Sequence, residues 1–325
     1  MTSSAYSHPN FLMKSFWPSP SKSPLEASIL LVLGVVVRLG GDLWITGLIV
    51  LLLAAKTQGN ELPKVKNCPS DLQQAYIPAG EFWMGSTMEE REFAYRLDKQ
   101  VTRRYGWYEK EPRTKAKSGS FCMDRSPVTN AHYKIFVDET GHPDPFITPE
   151  AYQLQGFLAH PYEKVKEFLW KRGAFPSGRK GHPVVLVSVR DAMSYCSWLG
   201  KKTRRKSRLP TEEEWEKAAR GTDGRIFPWG NEWNPEYLNS GERFAATTPV
   251  SRFPQGKSPF GLYDMVGNVF EWTASRWDEK NFVLKGCSWD DLPGTCRAAM
   301  RHGRPCQSKH ILIGFRCVSD VAEEQ

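Results

Sequence analysis

Phe260–Trp272 reads FGLYDMVGNVFEW, and the interpretation of the whole chain starts from this stretch. Two acids, Asp264 and Glu271, stand on either side of a Gly-Asn turn at Gly267 and Asn268. This spacing lets backbone carbonyls converge between two carboxylates. Turn formation and ordinary surface charge explain the same acids, so the residues alone do not decide their role.

Upstream of this stretch, three segments have the start signals of helices. Thr129–Thr140 begins with a residue that can cap a helix, and Ser188 with Asp191 resembles a capping box. Thr211 with Glu214 forms a capping box outright. We therefore expect a helix after each of these caps.

The rest of the domain shows shorter signals. Alternation and a Pro-Ala-Gly turn in Tyr76–Ser86 predict a strand, a turn and a second strand. Met88–Ser120 is highly charged and is predicted to be a partly helical surface insertion. From Gly221 onwards, frequent Gly, Pro and Asn indicate short strands between turns.

The N-terminal region predicts a membrane anchor. Ala27–Val37 and Leu43–Ala55 are apolar, and only together do they reach the roughly 20 residues that a membrane-spanning helix needs. Two alternatives remain, a cleaved signal peptide with Leu43–Leu53 as its apolar run and a short re-entrant hairpin turning at Gly40–Gly41. The predicted organisation is a cytoplasmic tail (1–26), an anchor (27–55), a linker (56–71) and one domain (72–320) outside the cytoplasm.

Charge and cysteine content narrow the partners and the compartment. The net charge is +8, and Lys201–Arg208 carries much of the excess. This segment is either a solvated surface loop or a docking surface for an acidic protein partner or for acidic lipid head groups. A nucleic-acid partner is not expected, because no known nucleic-acid-binding motif accompanies the basic run.

The cysteines are scattered, which favours disulfides in an exported chain. Their number is odd, so at least one thiol is left over. The cysteines are Cys68, Cys122, Cys196, Cys287, Cys296, Cys306 and Cys317.

Eight phrases together resemble the formylglycine-generating, or sulfatase-modifying factor, family, and they stand in the family's order over about Ala75–Ser319. The phrases are IPAGEFWMGS, FCMDRSPVTN, HPVVLVSVRDAMSYCSWLG, RLPTEEEWEKAARG, FPWGNEW, GLYDMVGNVFEW, KGCSW and GFRC. The resemblance implies an α+β domain with the formylglycine-generating-enzyme fold, little regular secondary structure and a relationship to the C-type-lectin-like fold. It says less about activity, since function resides in sites that differ among members of one fold.

The resemblance also implies two calcium sites and one disulfide. The first site would take its ligands from Asn239, Ser240, Glu242 and Phe244. The second would take them from Asp264, Gly267, Val269 and Glu271. Cys196 and Cys317 match positions that are bonded in the family.

The catalytic signature of the family is incomplete. Its active members bind copper through two thiolates five positions apart, because Cu(I) prefers soft ligands. Asp291 stands where the first thiolate is expected, so copper and standard formylglycine generation are not expected here. The candidate catalytic residues are Ser288, which matches a family serine, and three thiols in an unorthodox site: Cys287, Cys296 and Cys306. The alternative for these thiols is one disulfide and one spare buried thiol.

Two functions remain open at this point. The first is a membrane-anchored, calcium-stabilised binding or accessory module that lacks standard formylglycine-generating activity. The second is a maturation oxidoreductase of the formylglycine-generating type with altered metal chemistry. Whether the chain is an enzyme is therefore left open.

Overall fold

The structure is a computed structural model that describes residues 33–39, 43–49, 68, 73–155 and 159–321. The chain divides into two units, with the boundary between Pro63 and Lys64. The predicted tail (1–26), and the predicted linker (56–71) apart from Cys68, lie outside the described residues.

In the first unit, the described part of the predicted anchor forms strands rather than a helix. Strands β1 (Leu33–Leu39) and β2 (Leu43–Ile49) pair antiparallel, from Leu33 opposite Ile49 to Leu39 opposite Leu43. Consecutive β-branched residues in β1 favour a strand, and glycines disfavour a helix interior. No helix within the described residues is both long enough and apolar enough to span a bilayer. The transmembrane helix predicted over 27–55 is therefore not seen here, and the anchor itself stays a prediction.

The second unit contains six helices and ten strands among its described residues. The helices are α1 (Met88–Leu97), α2 (Asn130–Thr140), α3 (Pro149–Leu154), α4 (Tyr162–Val165), α5 (Val189–Thr203) and α6 (Glu212–Arg220). The strands are β3 (Gln74–Ile77), β4 (Gly80–Met84), β5 (Thr114–Ser118), β6 (Phe121–Asp124), β7 (Ser207–Arg208), β8 (Phe270–Arg276), β9 (Asn281–Lys285), β10 (Arg301–Pro305), β11 (Ile313–Gly314) and β12 (Val318–Asp320). The mixed α+β class is confirmed.

The predicted helix starts are confirmed by their caps. The Thr129 hydroxyl accepts the His132 amide at the start of α2, and Gly141 ends that helix in the left-handed region at φ 67°. Both α5 and α6 begin with complete capping boxes, whose N-cap residues are Ser188 and Thr211.

Two small sheets organise the unit. One has the order β10-β9-β8-β11, in which only β11 runs parallel to its neighbour β8. The other has the order β3-β6-β12-β7 and is antiparallel throughout. The strands predicted in Tyr76–Ser86 do not pair with each other, because β3 pairs with β6 and β4 pairs with β5. Strands after Gly221 begin only at Phe270, since residues 221–269 contain just two short 3-10 turns.

The charged segment Met88–Ser120 is not merely a surface insertion. Ala94, Tyr95 and Tyr108 are buried in a cluster with Met300. Asp98 is also buried, and its Oδ1 accepts the Gly294 amide at 2.6 Å. The segment therefore packs on the loop that follows β9, which charge content alone did not indicate.

Candidate functional site

The loop that follows β9 runs from Gly286 to Cys296 and holds most of the candidate catalytic residues. It turns early, because the Ser288 amide donates to Asp291 Oδ2 at 2.8 Å. The Ser288 hydroxyl lies 2.6 Å from Asp290 Oδ1 and also in hydrogen-bond contact with Asp291 Oδ2. A hydroxyl carries one proton, so it donates to only one of the two carboxylates at a time.

A proton on Asp291 explains how the Ser288 hydroxyl can be hydrogen-bonded to both carboxylates at once. Burial, followed by the neighbouring charge of Asp290, raises the pKa of Asp291 to about 7. Protonated Asp291 can donate to the Ser288 hydroxyl, which then donates to Asp290. On the other side, His160 Nε2 lies 2.9 Å from Asp290 Oδ2, and the His160 ring stacks on Trp289 with centroids 4.7 Å apart. The result is a hydrogen-bonded chain, Asp291–Ser288–Asp290–His160, that can hold or move a proton.

Sequence reasoning identified only part of this chain. The sequence predicts a role for Ser288 and places Asp291 where a thiolate is expected, but it marks neither His160 nor Asp290. His160 is placed from α3, because the Tyr152 hydroxyl donates to its carbonyl oxygen at 2.8 Å. No periodicity or motif marks His160. The neighbouring acids Asp290 and Asp291 are the one feature of the sequence that points to this hydrogen-bonded chain.

The three candidate thiols do not form a common site. Cys287 and Cys296 are joined in a disulfide, and Cys287 Sγ accepts the Gly267 amide at 3.0 Å. Cys306 is the free cysteine, and it is half-buried rather than fully buried. The expectation of an unorthodox thiolate site is therefore corrected to one disulfide and one spare thiol, because bonded sulfurs are not available as thiolate ligands.

Two further disulfides lie elsewhere in the unit. Cys196 in α5 is bonded to Cys317, as the resemblance implied. Cys68 is bonded to Cys122 in β6, a pairing that the sequence did not specify. Six of the seven cysteines are thus oxidised.

The first predicted calcium segment contains an unsatisfied ligand atom. Asn239 is buried, its Nδ2 donates to the Ala246 carbonyl at 2.9 Å, and its Oδ1 is buried with no hydrogen-bond partner within the described residues. Glu242 is exposed, and its amide donates to the Trp289 carbonyl at 2.8 Å. The segment also contains the Phe244 carbonyl, the Glu242 carboxylate and the Ser240 carbonyl, which accepts the Arg243 amide at 3.3 Å. These are oxygen donors of the kind that calcium binds.

The second predicted calcium segment fits less well. The Glu271 carboxylate is fully buried and is already held by Arg316 and by Trp215 Nε1, the latter at 2.8 Å. The Gly267 carbonyl accepts the Val269 amide at 2.8 Å. Because a guanidinium already neutralises Glu271, a cation there would have to share this carboxylate, and the segment as it stands does not fit a calcium ion.

Asp264, the remaining carboxylate of that segment, is also engaged. Its Oδ2 accepts the Ser251 amide at 2.7 Å, and burial raises its pKa to about 6. In the part of the chain that the structure describes, no group of three or more His, Cys, Asp or Glu side chains is arranged to hold a metal ion. Carbonyl and amide oxygens would therefore carry most of any calcium site.

The basic segment Lys201–Arg208 spans the end of α5, a short turn and β7. Lys202 pairs with Glu139, and Arg208 pairs with Glu214. The segment is thus not entirely a loop, but five of its six basic residues are exposed to solvent.

Residues 60–321 match the family model described as the sulfatase-modifying factor enzyme 1-like domain. The chain belongs to the sulfatase-modifying factor family. The resemblance drawn from the sequence phrases is therefore confirmed.

Relatives in the sulfatase-modifying factor family include both active and inactive proteins. The inactive C-alpha-formylglycine-generating enzyme 2 of Mus musculus is 32% identical over 289 residues, which cover 77% of this chain and 87% of that protein. The formylglycine-generating enzyme of Mus musculus is 32% identical over 301 residues, which cover 75% of this chain and 74% of that protein. The inactive and the active relative match this chain at the same identity, so overall similarity does not show whether the chain is active. The residues of the loop after β9 have to answer that question.

A solved structure supports the fold. PvdO from Pseudomonas aeruginosa superimposes with a TM-score of 0.59 at 24% sequence identity, covering 76% of this chain and 94% of that chain. At this level of identity the likeness concerns architecture and carries no activity with it.

Proposed function

We propose that residues 72–320 form a calcium-stabilised binding or accessory module of the sulfatase-modifying factor type that does not carry out standard formylglycine generation. The observation that carries the proposal is the Cys287–Cys296 disulfide beside Asp291. A hard carboxylate is a poor substitute for a soft thiolate on Cu(I). With two of the three candidate thiols oxidised, only Cys306 is free, and one thiol cannot form the linear thiolate pair.

The alternative is a maturation oxidoreductase with altered metal chemistry, and the same loop argues against it. The available ligands would be Asp290, Asp291 and His160. Their side chains are already hydrogen-bonded through Ser288 or to one another. A metal would have to break each of these contacts, so the network is better explained as the support that fixes the loop.

Calcium would stabilise the loop after β9 indirectly, through the neighbouring segment that contains Asn239 and Glu242. Among the described residues Asn239 Oδ1 has no hydrogen-bond partner, and an unpaired buried acceptor costs about 1–3 kcal/mol. An ion bound there would order the segment that contains Glu242, whose amide holds the Trp289 carbonyl. The ion's contribution in this proposal is structural.

The proposed location is outside the cytoplasm, behind a membrane anchor in residues 27–55. Three disulfides support an oxidising compartment, because thiols are kept reduced in the cytosol. The anchor rests on the apolar sequence alone. A protease added outside intact cells should degrade the domain, and a protected domain would refute this topology.

The test of function is an activity and metal assay on the full chain. The purified protein is incubated with Cu(I), oxygen and a peptide of the CxPxR type, and aldehyde is trapped and measured by mass spectrometry. We expect neither aldehyde nor stoichiometric copper, whereas the Mus musculus formylglycine-generating enzyme should give both under the same conditions. Aldehyde formation by this chain would overturn the proposal and favour the oxidoreductase.

A further inference from the structure

A basic cleft lies at the end of α5, far along the chain from the loop after β9. It has a volume of about 490 Å³, and its lining includes Lys201, Arg204, Arg205, Lys206 and Ser207. Neither the relatives nor the candidate site gives this cleft a role.

The chain reverses its direction sharply after α5, and this turn forms the cleft. α5 ends at Thr203 and is capped by Arg204 in the left-handed region, at φ 55°, and the Arg205 amide donates to the Gly200 carbonyl at 2.8 Å. The returning chain packs directly on Gly200, where an added Cβ would lie 2.6 Å from the Arg205 carbonyl oxygen. Ser207 then enters β7 and pairs with Ser319 of β12. The positions of residues 205–207 are therefore fixed by backbone contacts on both sides.

The cleft has an excess of positive charge. Six residues of the segment Lys201–Arg208 are basic, and ion pairs to Glu139 and Glu214 use only Lys202 and Arg208. The remaining four have no acidic side-chain partner among the described residues: Lys201, Arg204, Arg205 and Lys206.

Two opposing charges are close to the cleft. The exposed Asp320 lies near Arg208, and its amide donates to the Lys206 carbonyl at 3.2 Å. The C-terminal end of α5 contributes about half a negative charge. Together they offset only part of the four positive charges.

Two hydrogen-bond donors in the cleft lining lack partners. Arg205 Nη1 and Ser207 Oγ are both buried, and neither makes a hydrogen bond within the described residues. Buried polar atoms are nearly always hydrogen-bonded in native proteins, so two orphans in one basic cleft indicate a missing acceptor. Because both atoms are buried, an oxyanion in the cleft would reach them only after a small movement of the two side chains, and it would then offer an acceptor to each.

We propose that this cleft binds a phosphate group. A tetrahedral anion with several acceptor oxygens suits a guanidinium, a hydroxyl and surrounding ammonium groups, each of which contributes a charge-assisted or neutral hydrogen bond. The phosphate belongs either to free inorganic phosphate or to a lipid headgroup, and the two sources share the same recognition chemistry. The inference is independent of whether the loop after β9 is catalytic.

Binding of inorganic phosphate to the full chain tests the site by calorimetric titration at low ionic strength. Arg205→Gln should weaken binding by about tenfold or more, and Ser207→Ala by several-fold, because each removes a donor to a charged acceptor. Lys202→Gln is the matched control, since it removes one positive charge from the same segment but from a residue already paired with Glu139. It should change the affinity by less than about threefold.

Thermal unfolding separates binding from folding. In the absence of phosphate, Ser207→Ala should not lower the melting temperature, because the hydroxyl makes no hydrogen bond in the part of the chain that the structure describes. Added phosphate should raise the melting temperature of the wild type and not that of Arg205→Gln. Equal losses of affinity in Lys202→Gln and Arg205→Gln, or no response of the wild type to phosphate, would overturn the proposal.

Vesicles identify the source of the phosphate. Phosphatidylcholine vesicles with and without phosphatidic acid are compared, so that insertion of the N-terminal region affects both equally. Extra binding that depends on phosphatidic acid and on Arg205 assigns a lipid headgroup. Phosphate binding with no such difference assigns the free ion.

Discussion

The guanidinium of Arg316 donates two hydrogen bonds to the Glu271 carboxylate, from Nε to Oε2 at 2.8 Å and from Nη2 to Oε1 at 2.7 Å. Both side chains are completely buried. Arg316 Nη2 also donates to the carbonyls of Tyr263 and Asp264, at 2.8 and 3.2 Å. The pair therefore fixes the FGLYDMVGNVFEW stretch to the chain that precedes the last strand.

Removal of this guanidinium should strongly destabilise the domain. Arg316→Met leaves the Glu271 charge buried without its partner, which costs about 3–5 kcal/mol of unfolding free energy. Urea denaturation of the disulfide-intact protein measures the loss. Lys134→Met, which breaks the exposed pair with Asp138 on α2, should cost less than about 1 kcal/mol. Similar losses in the two variants would show that the buried pair contributes no more than an exposed one.

Calcium binding should depend on Asn239 and not on Glu271. We expect one ion per chain, and Asn239→Ala should abolish the rise in melting temperature that calcium produces in the wild type. At a calcium concentration 100 times the dissociation constant, that stabilisation is about 2.7 kcal/mol. Titration calorimetry and thermal unfolding, each with and without a chelator, measure both quantities.

Glu271→Gln is the control for this experiment. Its stability will change, because Arg316 loses a charged partner, but its calcium stoichiometry should remain that of the wild type. Two ions per wild-type chain, with one lost in Glu271→Gln, would mean that the second segment shares its carboxylate with a cation after all.

Features encoded locally were predictable from the sequence, and features made by distant contacts were not. The caps at Ser188 and Thr211 depend on residues three positions apart, so the sequence shows both partners together. The hydrogen bond between His160 and Asp290 joins residues 130 positions apart and has no local signature. The family resemblance bridges this gap for Cys196 and Cys317, whose bond it implied. It offers nothing for Arg205 and Ser207, which no family phrase includes.

The raised pKa of Asp291 should make stability depend on pH. In the folded state Asp291 keeps its proton up to about pH 7, whereas an unfolded Asp loses its proton near pH 4. Between these values the folded state binds more protons, so the free energy of unfolding falls as the pH rises through this window. Asp291→Asn removes the effect and still accepts the Ser288 amide. Its stability relative to the wild type should rise between about pH 4 and pH 7, by on the order of 3 kcal/mol.

Asp138→Asn controls for the loss of one negative charge, because it lies exposed on α2. Urea denaturation at several pH values gives the comparison. The contradicting outcome is that the free energies of unfolding of Asp291→Asn and Asp138→Asn both change with pH in parallel with that of the wild type across this range. In that case Asp291 is not protonated in the folded state and the shared-proton network is wrong.

Thiol counting tests the disulfide arrangement on which the proposed function depends. The denatured, unreduced full chain should react with one equivalent of a thiol reagent at Cys306, and all seven cysteines should react after reduction. Cys306→Ser should therefore leave no reactive thiol before reduction. Cys287→Ser should give two, because loss of one partner releases Cys296. Three reactive thiols in the unreduced wild type, mapped by mass spectrometry to Cys287, Cys296 and Cys306, would restore the thiolate site. Copper chemistry would then again be open to this loop, since soft ligands would be available to Cu(I).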